Sequence, residues 1–126
     1  MLGHGSGSFG HVAAARHGTR AGVAGADAWL GFATVSDAAA RLNRHVVGAL
    51  LAAGVPAIGL PPSASAAVVD GAIQALATWP VTAALEAGLL PVVFGDVAFD
   101  SARGGTIVST EEVLGYLAHS LRPAWL

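Results

Sequence analysis

The chain contains no cysteine. Disulfide scaffolds, thiolate metal sites and cysteine nucleophiles are therefore excluded. It contains no lysine either: all six basic residues are arginine, namely Arg16, Arg20, Arg41, Arg44, Arg103 and Arg122. Any chemistry that needs a lysine from this chain is excluded with it. Charge is scarce, at 11% of residues, against about 25% in an average soluble domain. The net charge is −2 and no basic cluster occurs, so the chain has no nucleic-acid footprint.

What is present is apolar. Hydrophobic residues make up 54% of the 126 positions, which rules out intrinsic disorder and suits one domain. The N-terminal residues Met1 to Gly5 lack the positive start and apolar run of a signal peptide. No charge occurs from Val46 to Val69, but Pro56, Pro61 and Pro62 interrupt that stretch. A buried helix followed by a buried strand is the reading, not a membrane span. A cytoplasmic protein without membrane association is expected.

Residues 1–3 read as the last turn of an element that began earlier, followed by a glycine-rich loop from His4 to Gly10. A short helix over residues 11–18 stops at Gly18. Residues 19–34 carry Gly22, Gly25 and Gly31 and read as loop or broken helix. Ser36 or Asp37 can cap a long helix with apolar positions Ala38, Leu42, Val46, Ala49 and Ala53, stopped by Gly54. Pro56 to Leu60 reads as a strand. Asp70-Gly71 signals a hairpin, because both turn positions tolerate positive φ. Pro80 opens a further helix that Gly88 closes, and Leu89 to Phe94 is a buried strand. Residues 99–106 form a turn between two strands, the second ending at Val108. Ser109 or Thr110 caps a last helix from Glu111 to Leu121, and Ser109 with Glu112 fits a capping box. This alternation predicts an α/β fold with a mostly parallel sheet covered on both faces. No internal repeat or linker is visible.

The loop Gly5-Ser6-Gly7-Ser8-Phe9-Gly10 fits G-x-G-x-x-G, a pattern that lets backbone N–H groups converge on a phosphate. A helix starting at His11 would add its positive end. A structural tight turn is the plain alternative. A dinucleotide fold would need a preceding strand and an acid about twenty residues on, where Asp27 is only roughly placed. A protein-kinase loop fits Gly5 to Val12, but that chemistry needs a lysine and a D-F-G element; Phe94-Gly95-Asp96 is not one. His17, His45 and His119 are scattered without metal-ligand spacing, and no metal site is expected.

The flanking histidines make the pattern more specific. His4 to His11 resembles the H-G-x-G-S-F-G-H signature of isopentenyl phosphate kinases, within the amino-acid kinase superfamily. Gly31-Phe32-Ala33, Leu42-Asn43-Arg44-His45, Gly54-Val55-Pro56-Ala57 and Pro62-Ser63-Ala64 continue the resemblance. Gly88 to Val97 looks like the family's G-x-x-P-V-x-x-G-D-V strand. The resemblance implies an incomplete three-layer αβα sandwich of the amino-acid-kinase type, one partial domain over 1–126 that binds the phosphate acceptor. It implies ATP-dependent phosphorylation of isopentenyl phosphate to isopentenyl diphosphate, with ATP and Mg2+ as cofactors and a homodimer in the full-length form.

By resemblance, Ser6 and His11 contact the acceptor phosphate, Gly7 the nucleotide phosphate, and Gly95 lies against the acceptor phosphate from a second strand end. His11 is the expected catalytic residue, while His4 is expected to be structural. Phe32, Ala33 and Val46 are candidates for an isoprenoid-tail pocket, with ordinary core as the alternative. The family's K-x-G-G-S loop has no counterpart here. Its S-G-D motif, whose acid orients active-site lysines, corresponds to Ser109-Thr110-Glu111, where Glu111 has the longer reach. The chain is thus expected to be the central fragment of a kinase and inactive by itself. The alternatives are a non-catalytic phosphate-binding remnant or regulatory module, or a superfamily kinase for another acceptor such as uridylate or an amino acid.

Overall fold

A computed structural model describes residues 1–122. Its centre is the strand β5, Leu90–Phe94, in which Pro91, Val92, Val93 and Phe94 are all buried. Such a continuous apolar run is what a strand covered on both faces requires. It pairs in parallel with β1, Leu2–His4, on one side and β2, Ala57–Gly59, on the other. A second sheet has the order β4-β3-β6-β7, from β3 Ala67–Val69, β4 Ala72–Ala75, β6 Asp96–Asp100 and β7 Gly104–Val108. Here β3 and β6 are parallel, while β3-β4 and β6-β7 are antiparallel hairpins.

Among the described residues four α-helices cover these sheets: α1 Gly7–His17, α2 Ala26–Ala52, α3 Trp79–Glu86 and α4 Thr110–Leu121. Neighbouring residues of a strand point to opposite faces, and β6 shows where each core lies. Val97 packs with Val23, Phe32 and Val35 on the α2 side. Ala98 packs with Val81, Val113 and Leu117 on the side of α3 and α4. Two cores on two faces give the three-layer αβα arrangement that the family resemblance implies.

Several local expectations hold. Gly18 and Gly54 have φ of 59° and 80° just past their helices, Asp70 and Gly71 both have positive φ in the β3–β4 turn, and the Ser109–Glu112 capping box is formed.

Four differ. Residues Leu2 to His4 are a strand, not the end of a preceding turn. Helix α1 starts at Gly7 rather than His11, so His11 is its fifth residue. Helix α2 starts at Ala26, which places Ser36 and Asp37 inside it rather than at its cap. Gly31 does not break it; a Cβ there would stand 2.7 Å from the His17 ring, so glycine serves the close approach of α1. Strands β6 and β7 run further than expected and leave only residues 101–103 as the turn.

Candidate functional site

The C-terminal ends of β1 and β5 lie side by side, with His4 in register with Phe94. Each strand end runs into a glycine: Gly5 leads to α1, and Gly95 leads to β6. Ligands of open α/β sheets bind at such strand ends. A cavity of about 380 Å³ opens there, lined by Gly5, Ser6, Gly10 and His11 from the first loop and helix. Gly95 and Asp96 line it from the second strand end, and Ser109, Thr110 and Glu111 from the start of α4. Residues about a hundred positions apart thus share one wall.

Thr110 fixes this geometry. Its hydroxyl donates to the His4 carbonyl at 2.6 Å and accepts from the Gly95 N–H at 2.8 Å. One nearly buried side chain therefore sets the spacing of both glycine-bearing strand ends.

His4 points away from that chemistry. Its ring stacks on Phe94 with centroids 5.3 Å apart. Nδ1 lies 3.0 Å from the Gly5 carbonyl and Nε2 lies 3.1 Å from the Asn43 side-chain nitrogen. A carbonyl only accepts and an amide nitrogen only donates, so Nδ1 carries the proton. His4 is bound into the structure through all these contacts, whereas His11 is exposed on the cavity.

Of the other expected site residues, Ser6 and Gly95 also line the cavity. Gly7, at φ 50°, sits beside it at the first position of α1. Added Cβ atoms at Gly5 or Gly7 would meet nothing within 4 Å, so the loop is open to close approach. The first N–H groups of α1 have no intrahelical acceptor. They come from Gly7 onward, not from His11 onward.

Two further lining residues lie outside the glycine-rich loop: Asp96, the acid of the Gly88 to Val97 motif, and Arg20, which belongs to no motif. Asp96 is buried, and burial raises its pKa above the ordinary 3.8 against the opposing hydrogen bonds of Ser63, Ser36 and the Val97 N–H. The Val97 N–H donates to its Oδ1 at 2.8 Å. Arg20 lies in the 3-10 turn Thr19–Ala21 and is the only arginine among the lining residues. The scarcity of cations and the absence of lysine were the available sequence hint.

A second, more open hollow of about 490 Å³ adjoins the Asp96 cluster, since Ser36 and Ser63 line it too. Its apolar walls are Trp29, Phe32, Ala33, Val97 and Phe99. The Trp29, Phe32 and Phe99 rings pack on one another with centroids 5.1–6.0 Å apart. Phe32 and Ala33 both line this hollow, and Phe32 is also part of the buried core with Val23, Val35 and Val97. Val46 does not line it; it lies about 20 Å further along α2.

The amino acid kinase family profile matches residues 1–126. The chain belongs to the amino acid kinase family. This member is 33% identical to the isopentenyl phosphate kinase of Methanothermobacter thermautotrophicus, over 98% of its own length and 48% of that protein. It is 35% identical to the isopentenyl phosphate kinase of Arabidopsis thaliana, over 98% of its length and 38% of the relative. One solved isopentenyl phosphate kinase superposes with a TM-score of 0.91 at 32% identity, covering 98% of this chain and 52% of the other. A product complex of the Thermoplasma acidophilum enzyme gives 0.84 at 27% identity, covering 96% and 49%. The chain spans about half the length of these relatives, or less.

Proposed function

We propose that this amino acid kinase chain supplies the acceptor-binding half of an isopentenyl phosphate kinase, which phosphorylates isopentenyl phosphate to isopentenyl diphosphate in isoprenoid biosynthesis. The observation that carries this reading is the shared cavity: Ser6 and His11 from one strand end meet Gly95 from the other, beside an apolar hollow. The phosphate of the acceptor would sit in the cavity, and its hydrocarbon tail would lie against Phe32, Ala33 and Phe99.

Phosphoryl transfer depends on positioning and charge stabilisation more than on covalent chemistry. The N–H groups that open α1 can bind phosphate oxygens. His11 can donate a ring N–H to an oxygen that gains charge, which is the catalytic role proposed for it. Gly7 is proposed for the nucleotide phosphates, and the open space over Gly5 and Gly7 supports that assignment. ATP supplies the transferred phosphoryl group. Among the described residues no group of three histidine or acidic side chains can hold a metal ion.

The proposal includes one partial domain over residues 1–126, a cytoplasmic location and a homodimer for the full-length protein. No described helix is long and apolar enough to cross a membrane. The test is calorimetric titration of the chain with isopentenyl phosphate, inorganic phosphate and isopentenol. Isopentenyl phosphate should bind tighter than either fragment, and His11→Ala should weaken it. Equal affinity for inorganic phosphate and isopentenyl phosphate would favour the alternative, a phosphate-binding remnant or a kinase of another acceptor.

A further inference from the structure

We infer that Arg20 is the phosphate-binding cation of this cavity, held in reserve by Glu112. The inference rests on the proposed phosphate site and adds a residue to it.

A phosphate monoester needs positive charge as well as N–H donors, and this chain has no lysine to give it. Arg20 is the only arginine that lines the cavity, and His11 is its only other basic neighbour there. The acids on the same wall are Asp96 and Glu111. Burial moves Asp96 towards its neutral form, so it opposes an anion less than a free carboxylate would. Glu111 is exposed and its charge is solvated.

The backbone of Arg20 is clamped where the side chain is free. Its carbonyl accepts from the Thr106 hydroxyl at 2.9 Å and from the Arg103 guanidinium at 3.3 Å. Arg103 is itself fixed by Asp70 at 2.9 Å. The Arg20 side chain makes one long contact, 3.8 Å to Glu112 Oε2, and remains 59% exposed. A pair of that length and exposure is weak, so a phosphate with bidentate geometry can take the guanidinium from it. The contact joins the 3-10 turn to the first turn of α4, and residues of both line the cavity. Glu112 has a second commitment, since its carboxylate accepts from the Ser109 N–H in the capping box.

These separate roles define the experiment. Inorganic phosphate and isopentenyl phosphate are titrated into the 126-residue chain carrying Arg20→Ala, Arg20→Lys or Glu112→Gln. Arg20→Ala leaves the clamped carbonyl in place and should weaken inorganic phosphate at least about tenfold. Arg20→Lys should lose less. Glu112→Gln keeps a capping-box acceptor but releases Arg20, so phosphate should bind about two- to fivefold tighter. That gain should vanish in the Arg20→Ala background. A purely structural Arg20 predicts neither the gain nor its disappearance. Unchanged phosphate affinity in Arg20→Ala, or a Glu112→Gln gain that persists without Arg20, would overturn the inference. Should Arg20→Ala misfold, absence of any gain in Glu112→Gln overturns it alone. A wild-type chain that binds both ligands equally, with both lost in Arg20→Ala, supports Arg20 and refutes the isopentenyl acceptor.

Discussion

The Thr110 hydroxyl donates to the His4 carbonyl at 2.6 Å, and so ties the first turn of α4 to the end of β1. Because it also accepts from Gly95 at 2.8 Å, it bonds to both loops of the cavity. Thr110→Val keeps the shape and removes the donor and the acceptor. Leaving the His4 carbonyl and the Gly95 N–H unpaired should cost about 1–3 kcal/mol. Thr110→Ser, which keeps the hydroxyl, should lose less. Urea unfolding of the two variants checks this, and equal losses would show that the methyl packing matters more than the bonds.

Asp100 joins the tips of two hairpins. Its carboxylate accepts from the N–H groups of Asp70, Gly71, Ala102 and Arg103. Burial works the other way, but these bonds prevail and bring its pKa from 3.8 to about 2. The sign follows: the folded form holds its proton less tightly than the unfolded chain. The stabilisation is complete above about 3.8, declines as pH falls, and is gone below about 2. Asp100→Asn should be less stable at pH 6 and should approach the wild type near pH 2. Thermal melts across that window test it; parallel curves would mean that the carboxylate charge is not what holds the turns.

Asp96 behaves in the opposite sense. Its raised pKa means that the folded form binds the proton more tightly, so its contribution to stability falls as pH rises through the folded value. Asp96→Asn imitates the neutral acid. Relative to wild type, it should be more favourable at pH 8 than at pH 4. Denaturant titrations at both pH values decide, and a difference independent of pH would count against a buried, proton-retaining acid.

The two histidines that flank the glycines should separate cleanly. His4→Ala removes the Phe94 stack and leaves Asn43 without its partner, so it should destabilise by about 1–3 kcal/mol. His11→Ala is an exposed change and should move stability by no more than about 0.5 kcal/mol. Its effect should fall on phosphate affinity instead. A stability loss at His11 comparable to that at His4 would mean that the roles are reversed.

Much of this arrangement was legible in the sequence where a residue type acts locally. Gly54, Asp70-Gly71 and the Ser109–Glu112 box each declare a backbone conformation through their own chemistry. The start of α2 was not legible, because Gly25 caps it without a side-chain bond and Gly31 looks like a breaker. Gly31 is a tertiary residue, small because His17 packs on it. The same limit hid the site partners. Ser6, His11 and Gly95 follow from a motif. Asp96 and Thr110 also fall inside motifs, Gly88 to Val97 and Ser109-Thr110-Glu111, but their contacts with distant parts of the chain are set by the fold. Arg20 falls in no motif, and no spacing rule reports it. The positive end of α1 begins four residues before His11, since Gly7 and Gly10, which read as loop, already belong to the helix.

The central claim is that the cavity between the Gly5 and Gly95 strand ends receives the phosphate of isopentenyl phosphate. Backbone amide NMR during titration with that ligand tests it most directly. The account predicts saturable shifts at Ser6, Gly7, Gly10, His11 and Gly95, with further shifts at Phe32 and Ala33 that inorganic phosphate does not produce. Saturable shifts elsewhere with these residues unmoved, or no saturable shifts at all, would contradict it.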